Sequence, residues 1–133
     1  MVGDKRKFNV ALITLLTVGA TGEKPGSDDL TGLALEVVPG VTKVSQAVQN
    51  PEFIKKIEDI IKSTNADGTV CPSNASKITK FTILPVDYSV ETEELTATLK
   101  LKRAFTEKKF AAVIDAMYDE AVPASNMYVP YKA

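Results

Sequence analysis

A run of apolar residues close to the N-terminus constrains the fold of this chain more than any other feature. Residues 10–18 read VALITLLTV, in which only Thr14 and Thr17 are polar. A membrane-spanning helix needs about 20 apolar residues, roughly twice this length. Leucine and β-branched residues in an unbroken run are typical of a strand that is buried on both faces. We therefore expect residues 10–18 to form a buried central strand, and we expect no membrane span in this chain.

A helix is predicted from residue 50 onwards. Asn50 is a good N-cap, Pro51 suits the first helical position, and Glu52 complements the positive end of the helix dipole. An apolar stripe follows at helical spacing and consists of Phe53, Ile54, Ile57, Ile60 and Ile61. We expect this stripe to face the core.

A different pattern, strict alternation of apolar and polar residues, predicts a strand at residues 95–102. The apolar positions are Leu95, Ala97, Leu99 and Leu101. A period of two buries one face of a strand and leaves the threonines and lysines on the other. A further strand is expected at about residues 80–84 and a closing helix from about Thr106. Strands and helices mix without a regular βαβ repeat, so the predicted fold class is α+β, a small mixed β-sheet packed against helices.

The length of 133 residues suits one domain. We assign residues 1–120 to a folded subdomain and residues 121–133 to a C-terminal tail. The tail is rich in proline, tyrosine and methionine, a composition that fits an ordered extension as well as a flexible end.

The composition excludes several classes of function. The chain has 16 Lys and Arg against 17 Asp and Glu, which argues against nucleic-acid binding. It has no histidine, so Ser-His-Asp and Cys-His nucleophiles and His-ligated metal sites are excluded, and no metal site is predicted. Cys71 is the single cysteine, which excludes an internal disulfide and indicates a reducing, cytoplasmic location.

Two local patterns look functional but have simpler interpretations. Residues 19–24, GATGEK, follow the first strand and resemble a phosphate-binding loop. Only two residues separate the glycines, and Glu23 stands where that motif has lysine, so we interpret the segment as an ordinary loop. The carboxylates of Glu91, Glu93 and Glu94 share an expected turn, where we predict that they are solvated.

A basic cluster lies on and after the alternating segment. Its members are Lys100, Lys102, Arg103, Lys108 and Lys109. One interpretation is a solvated strand edge whose lysines prevent aggregation. The other is a lysine presented to phosphate or carboxylate oxygens, where its compact charge would stabilise developing negative charge.

The residues around this cluster resemble the closing motif of long-chain fatty acyl-CoA synthetases, which belong to the AMP-forming, adenylate-forming ligase superfamily. Residues 95–103, LTATLKLKR, preceded by residues 88–94, YSVETEE, carry the resemblance. Residues 2–8, VGDKRKF, and residues 77–85, KITKFTILP, resemble other segments of the same small C-terminal domain. The resemblance implies that the chain is a truncated C-terminal subdomain of such an enzyme.

The resemblance also implies a function for the parent enzyme. A large N-terminal adenylation domain would be the partner of this chain and would bind most of the ATP and the fatty acid. The parent would use ATP, CoA and Mg²⁺ to make acyl-CoA through an acyl-adenylate, releasing AMP and diphosphate. The small domain would be a mobile lid, and by motif position Lys100 would be the catalytic lysine that bridges carboxylate and α-phosphate oxygens. The fragment alone would bind none of these cofactors and would be inactive, and membrane association of the parent is left open.

The motif departs from the family pattern at two positions. Glu93 stands where the family usually has glycine in the turn, and Ala97 stands where long-chain members often have proline. Neither change removes the lysine, but Glu93 would stiffen the turn or place an unusual charge near Lys100.

Two other interpretations stay open at this point. The chain could be a stand-alone interaction or anion-binding module without catalytic activity, whose basic segment docks an acidic partner. It could also belong to the same superfamily but serve an enzyme that activates a different acid, because the acyl pocket lies outside this chain.

Overall fold

The computed structural model of the chain describes residues 1–123 and 125–131. It contains two strands and four α-helices, together with two short 3₁₀ turns at Gly32–Glu36 and Asn74–Ser76. The elements in chain order are β1 (Asn9–Ile13), α1 (Val44–Ala47), α2 (Pro51–Ala66), β2 (Ile78–Ile83), α3 (Arg103–Lys109) and α4 (Ala111–Met117). The predicted α+β class is confirmed.

The sheet is built on the apolar run, but only on its first half. β1 pairs in parallel with β2, with Val10 opposite Lys80 and Ile13 opposite Ile83. The prediction that the strand continues to Val18 is wrong. Beyond Ile13 the chain leaves the sheet, and Thr17 and Val18 bond instead to the loop around Leu30 and Asp29.

Single bridges extend this strand pair at both edges and make the small sheet mixed. Val2 pairs antiparallel with Val10 on one side, and Tyr128 pairs in parallel with Phe81 on the other. The sheet therefore gathers segments from both ends of the described chain.

The larger core covers one face of the sheet. Helix α2 begins as the sequence predicts, because the Asn50 side-chain oxygen accepts a hydrogen bond from the Phe53 amide at 3.0 Å. Phe53 is fully buried and Ile61 nearly so, and both pack with Phe81 of β2. Ile60 was assigned to the same stripe but is 60% exposed, because it lies at the edge of the buried face rather than at its centre.

A second core covers the opposite face of β1. It consists of Val10, Ile114, Met117 and Val129, with Phe8 and Tyr118 packed against it. The predicted closing helix is two helices, because the backbone at Phe110 leaves helical geometry and separates α3 from α4. The buried face of α4 contains the expected Val113, Ile114 and Met117.

Residues near the C-terminus are held on β2. The Phe81 amide donates to Met127 O at 2.8 Å, and the Val129 amide donates to Phe81 O at 2.9 Å. The buried Lys80 ammonium donates to Pro123 O at 3.0 Å and to Asn126 O at 2.6 Å. Burial lowers the pKa of Lys80. The division at residue 120 stays a prediction, and Ala124, Lys132 and Ala133 of the tail lie outside the described residues.

Within residues 1–123 and 125–131, no helix has the length and hydrophobicity that a bilayer crossing requires.

Candidate functional site

The segment that carries the candidate lysine is a tight turn rather than a strand. Leu95 and Leu101 form an isolated antiparallel bridge, and residues 96–100 between them reverse the chain; we call these residues the Lys100 turn. The Thr96 amide donates to Lys100 O at 2.8 Å, and the Lys100 amide donates to Thr96 Oγ1 at 3.1 Å. The predicted strand at residues 95–102 is therefore wrong.

The backbone explains why alternation fails to give a strand here. Leu99 has a φ of +63°, a left-handed conformation that ends any extended segment. Leu99 and Leu101 are 50% and 45% exposed, so the apolar side of the pattern covers no core within the described chain. The alternation instead places apolar residues on both sides of the lysine.

Lys100 ends this turn with its side chain exposed. In the described part of the chain, none of the ion pairs or side-chain hydrogen bonds involves its ammonium group. A compact, exposed positive charge without an internal partner is suited to meet phosphate or carboxylate oxygens of another molecule.

The other members of the basic cluster have separate positions and partners. Lys102 and Arg103 are at the start of α3, where Arg103 donates to Met1 O at 3.0 Å and pairs with Glu107 at 3.6 Å. Lys108 and Lys109 end the same helix, and only Lys109 has an ion-pair partner among the residues described. The cluster is therefore not one continuous basic face, and Lys100 is set apart from it in the turn.

The prediction that all three acidic residues before the turn are solvated is wrong for one of them. Glu91 and Glu93 are exposed, but Glu94 is only 2% exposed. One Glu94 carboxylate oxygen accepts hydrogen bonds from the Ser89 amide at 3.1 Å and from the Thr92 hydroxyl, and the other pairs with the Lys109 ammonium. Burial of a carboxylate requires such partners, and Lys109 supplies the opposite charge from 15 residues further along the chain.

Glu93 has the backbone conformation that a glycine would favour. Its φ is +73°, in the left-handed region that glycine adopts without the steric cost that a Cβ atom brings. Ala97, the second departure from the family pattern, is exposed in the turn and is not one of the residues with positive φ.

The glycine-rich loop after β1 packs beside the Lys100 turn, which the sequence did not indicate. The Val90 amide donates to Gly22 O at 2.8 Å, and the Glu91 amide donates to Glu23 O at 3.0 Å. A Cβ atom on Gly22 would lie 3.0 Å from the methyl groups of Leu99. Gly22 therefore lets the loop approach the turn closely, and no α-helix begins at the loop as a phosphate-binding loop would require.

Tyr88 lies on the inner side of this region. Its ring centroid is 6.2 Å from that of Phe110. Burial, with a smaller contribution from the negative charges of Glu94 and Asp87, raises the pKa of Tyr88 to about 12. The phenol is therefore neutral at physiological pH and contributes packing rather than charge.

No group of three or more His, Cys, Asp or Glu side chains within residues 1–123 and 125–131 is arranged to hold a metal ion. The described part of the site is thus a cationic turn without metal ligands of its own.

The sequence of this chain matches the model of a known protein family. The family model of the AMP-binding enzyme C-terminal domain covers residues 26–122. The chain belongs to this family, and the resemblance noted from residues 88–103 is confirmed.

The similar proteins are named long-chain-fatty-acid–CoA ligases. The chain is 34% identical over 120 residues to FadD15 of Mycobacterium tuberculosis, which covers 90% of the chain and 18% of that protein. It is 35% identical over 127 residues to ACSBG2 of Gallus gallus, covering 91% of the chain and 16% of that protein. It is 32% identical over 126 residues to ACSBG1 of Homo sapiens, covering 90% and 17%.

The chain therefore spans less than a fifth of the length of these relatives. No solved structure matches it.

Proposed function

We propose that this chain acts as the C-terminal domain of an AMP-forming long-chain fatty acid–CoA ligase, in which it is the mobile lid and Lys100 is the catalytic lysine. The observation that carries the proposal is the exposed Lys100 ammonium, which has no ion-pair partner in the described structure, at the end of a tight turn. The names of the similar proteins supply the substrate class.

The first half-reaction explains what such a lysine would do. A fatty acid carboxylate oxygen attacks the α-phosphorus of ATP, the bond to the β-phosphate oxygen breaks, and diphosphate leaves. The Lys100 ammonium would contact the carboxylate and α-phosphate oxygens, holding two negatively charged reactants together and offsetting charge in the transition state.

The second half-reaction needs a different pose of the domain. The CoA sulfur, as the thiolate, attacks the acyl carbon of the adenylate and AMP leaves. The lid would have turned another face towards the active site by then, so Lys100 contributes little to this step. ATP, with its Mg²⁺, the fatty acid and CoA would be held mainly by the large N-terminal adenylation domain.

We also propose a cytoplasmic location for the ligase. The single cysteine of the chain, Cys71, is a free thiol in the structure. This is consistent with a reducing compartment.

Replacement of Lys100 by alanine in the full-length ligase tests the proposal. We expect ATP–pyrophosphate exchange, which reports adenylation, to fall by on the order of 100-fold or more, as for loss of one charge-stabilising group. Thioester formation from preformed acyl-adenylate and CoA should fall much less.

Lys108→Ala is the matched control, because Lys108 is also exposed and has no ion pair among the described residues. It should leave both half-reactions near their normal rates. Near-normal exchange by Lys100→Ala would show that the lysine has no role in adenylation.

A further inference from the structure

Four polar residues next to the Lys100 turn form a connected network, in which Ser89 and Glu94 are buried, Thr92 is half-buried and Lys109 is exposed. Its members are Ser89, Thr92, Glu94 and Lys109, and we call it the Glu94 network. Ser89 is fully buried, and its hydroxyl lies 2.6 Å from the Thr92 hydroxyl, which donates in turn to Glu94. The Lys109 ammonium pairs with Glu94 and donates to Thr92 O at 2.9 Å.

This network closes a loop around the lysine turn. Glu94 immediately precedes the Leu95–Leu101 bridge, and Lys109 is the last residue of α3, the helix that follows the turn. The backbone reinforces the closure, because the Lys102 amide donates to Glu94 O at 2.7 Å. Both ends of the segment that carries Lys100 are therefore tied to the same residue.

The turn has few other attachments to the domain. Residues 97–101 are all exposed, and the hydrogen bonds of the turn itself are internal to it. Beyond these, Leu99 lies against Gly22 of the neighbouring loop. The position of the turn relative to the cores thus depends strongly on Glu94 and its partners.

The opposite charges of the pair reinforce the closure, although only Glu94 is buried and the Lys109 side chain is 37% exposed. Loss of the Lys109 charge would leave the buried Glu94 carboxylate without its counter-charge, and burial of an unpaired charge is destabilising. If Lys109 lost its ammonium, Glu94 would have to take up water or move outward, and the start of the turn would move with it.

We propose that Glu94 and Lys109 are a positioning pair for Lys100, holding the lysine turn in the geometry that adenylation requires. This inference rests on the proposed function, and neither residue is assigned contact with substrate. Electrostatic catalysis needs the charged group fixed before the reaction, because a displacement of about 1 Å can reduce the rate by about 100-fold.

Lys109→Met in the full-length ligase is the first test, since methionine keeps most of the side-chain length and removes the charge. We expect kcat for pyrophosphate exchange to fall by about 10- to 100-fold. KM for ATP and fatty acid, and thioester formation from preformed acyl-adenylate, should stay within about twofold. Lys108→Met, one residue earlier on the same helix, is the control and should leave all of these values unchanged.

Two further variants separate positioning from general instability. Lys109→Arg should restore most of the exchange, because a guanidinium can still pair with the Glu94 carboxylate. Glu94→Gln combined with Lys109→Met removes both charges; it should stay folded and still show the adenylation defect. A purely structural role would instead reduce both half-reactions in proportion to the loss of folded protein, and that result would overturn the inference.

Nuclear magnetic resonance on the 133-residue chain tests the same idea without catalysis. In the unaltered chain, backbone order parameters for residues 96–100 should be near about 0.85, and in Lys109→Met they should fall below about 0.6. Values for β1 and β2 should not change. Unchanged order in the turn would overturn the inference.

The two proposals fail in different ways. Normal exchange by Lys100→Ala would reject the role of Lys100 itself and, with it, this inference. Loss of exchange in Lys100→Ala together with normal exchange in Lys109→Met would reject the positioning pair alone.

Discussion

Glu93 has a backbone conformation that residues with a side chain avoid. Its φ of +73° brings the Cβ atom close to backbone atoms, a contact that glycine does not have. The next residue is Glu94, whose carboxylate is fixed by the Ser89 amide and by Lys109. The strain at Glu93 is therefore retained because a rotation that relieved it would pull Glu94 out of its network.

Replacement of Glu93 by glycine should stabilise the isolated chain. The left-handed conformation costs an L-residue about 1 kcal/mol or more, a cost that glycine avoids. Glycine also loses more conformational entropy on folding, which offsets part of this benefit, so we expect the free energy of unfolding to rise by about 0.5–1 kcal/mol. Urea unfolding, followed by circular dichroism, measures this gain.

Glu91→Gly is the matched control, because Glu91 is an exposed carboxylate in the same turn without positive φ. It should be neutral or destabilising. Equal effects of the two substitutions would show that backbone strain at Glu93 is not the cause.

Among the residues of the candidate site, local sequence identified some and missed others. Lys100 could be identified by its place in a motif, and Glu93 by its departure from one. Glu94 was missed because a carboxylate next to other carboxylates is typical of a solvated turn. Its partner Lys109 is 15 residues away, and only the folding of α3 against the turn brings the two charges together.

At the scale of elements, signals at a helix terminus are more informative than alternation. Helix α2 begins where Asn50 and Pro51 predict, since both residues act through local geometry that does not depend on the rest of the fold. The alternating segment at residues 95–101 became a turn because no neighbouring strand pairs with it and Leu99 takes a left-handed conformation. An alternation of period two predicts which side chains lie on the same side of an extended segment. It does not predict that a neighbouring strand pairs with that segment.

Loss of the α2 cap should therefore have a measurable cost. Asn50→Ala removes the acceptor of the Phe53 amide, and a lost N-cap typically lowers the free energy of unfolding by about 1 kcal/mol. Ser63→Ala, an exposed polar-to-alanine change within the same helix, should alter it by less than about 0.5 kcal/mol. Urea unfolding of both variants compares them directly, and a cap variant as stable as Ser63→Ala would contradict this account of the helix start.

At the scale of the molecule, the fold class could be predicted but the layering could not. Strand and helix signals that mix without a regular βαβ repeat indicated α+β. The parallel pairing of β1 with β2, however, joins segments about 70 residues apart, as in the Asn9–Ile78 pair. The packing of residues near the C-terminus on β2 is equally non-local, since Lys80 bonds to Asn126 O. The result is a sheet with a core on each face.

That architecture leads to the last prediction: the isolated chain should fold but should have no ligase activity. Three clefts among the described residues, of about 330, 340 and 350 Å³, are open to solvent, whereas a site for ATP and a long acyl chain must enclose most of both ligands. The isolated chain, given ATP, Mg²⁺, fatty acid and diphosphate, should therefore show only background pyrophosphate exchange while unfolding cooperatively in urea. Exchange above background that is lost in Lys100→Ala would contradict the division of labour between two domains. Saturable, salt-sensitive binding of an acidic partner by the chain alone, together with normal exchange by Lys100→Ala ligase, would instead favour the stand-alone module.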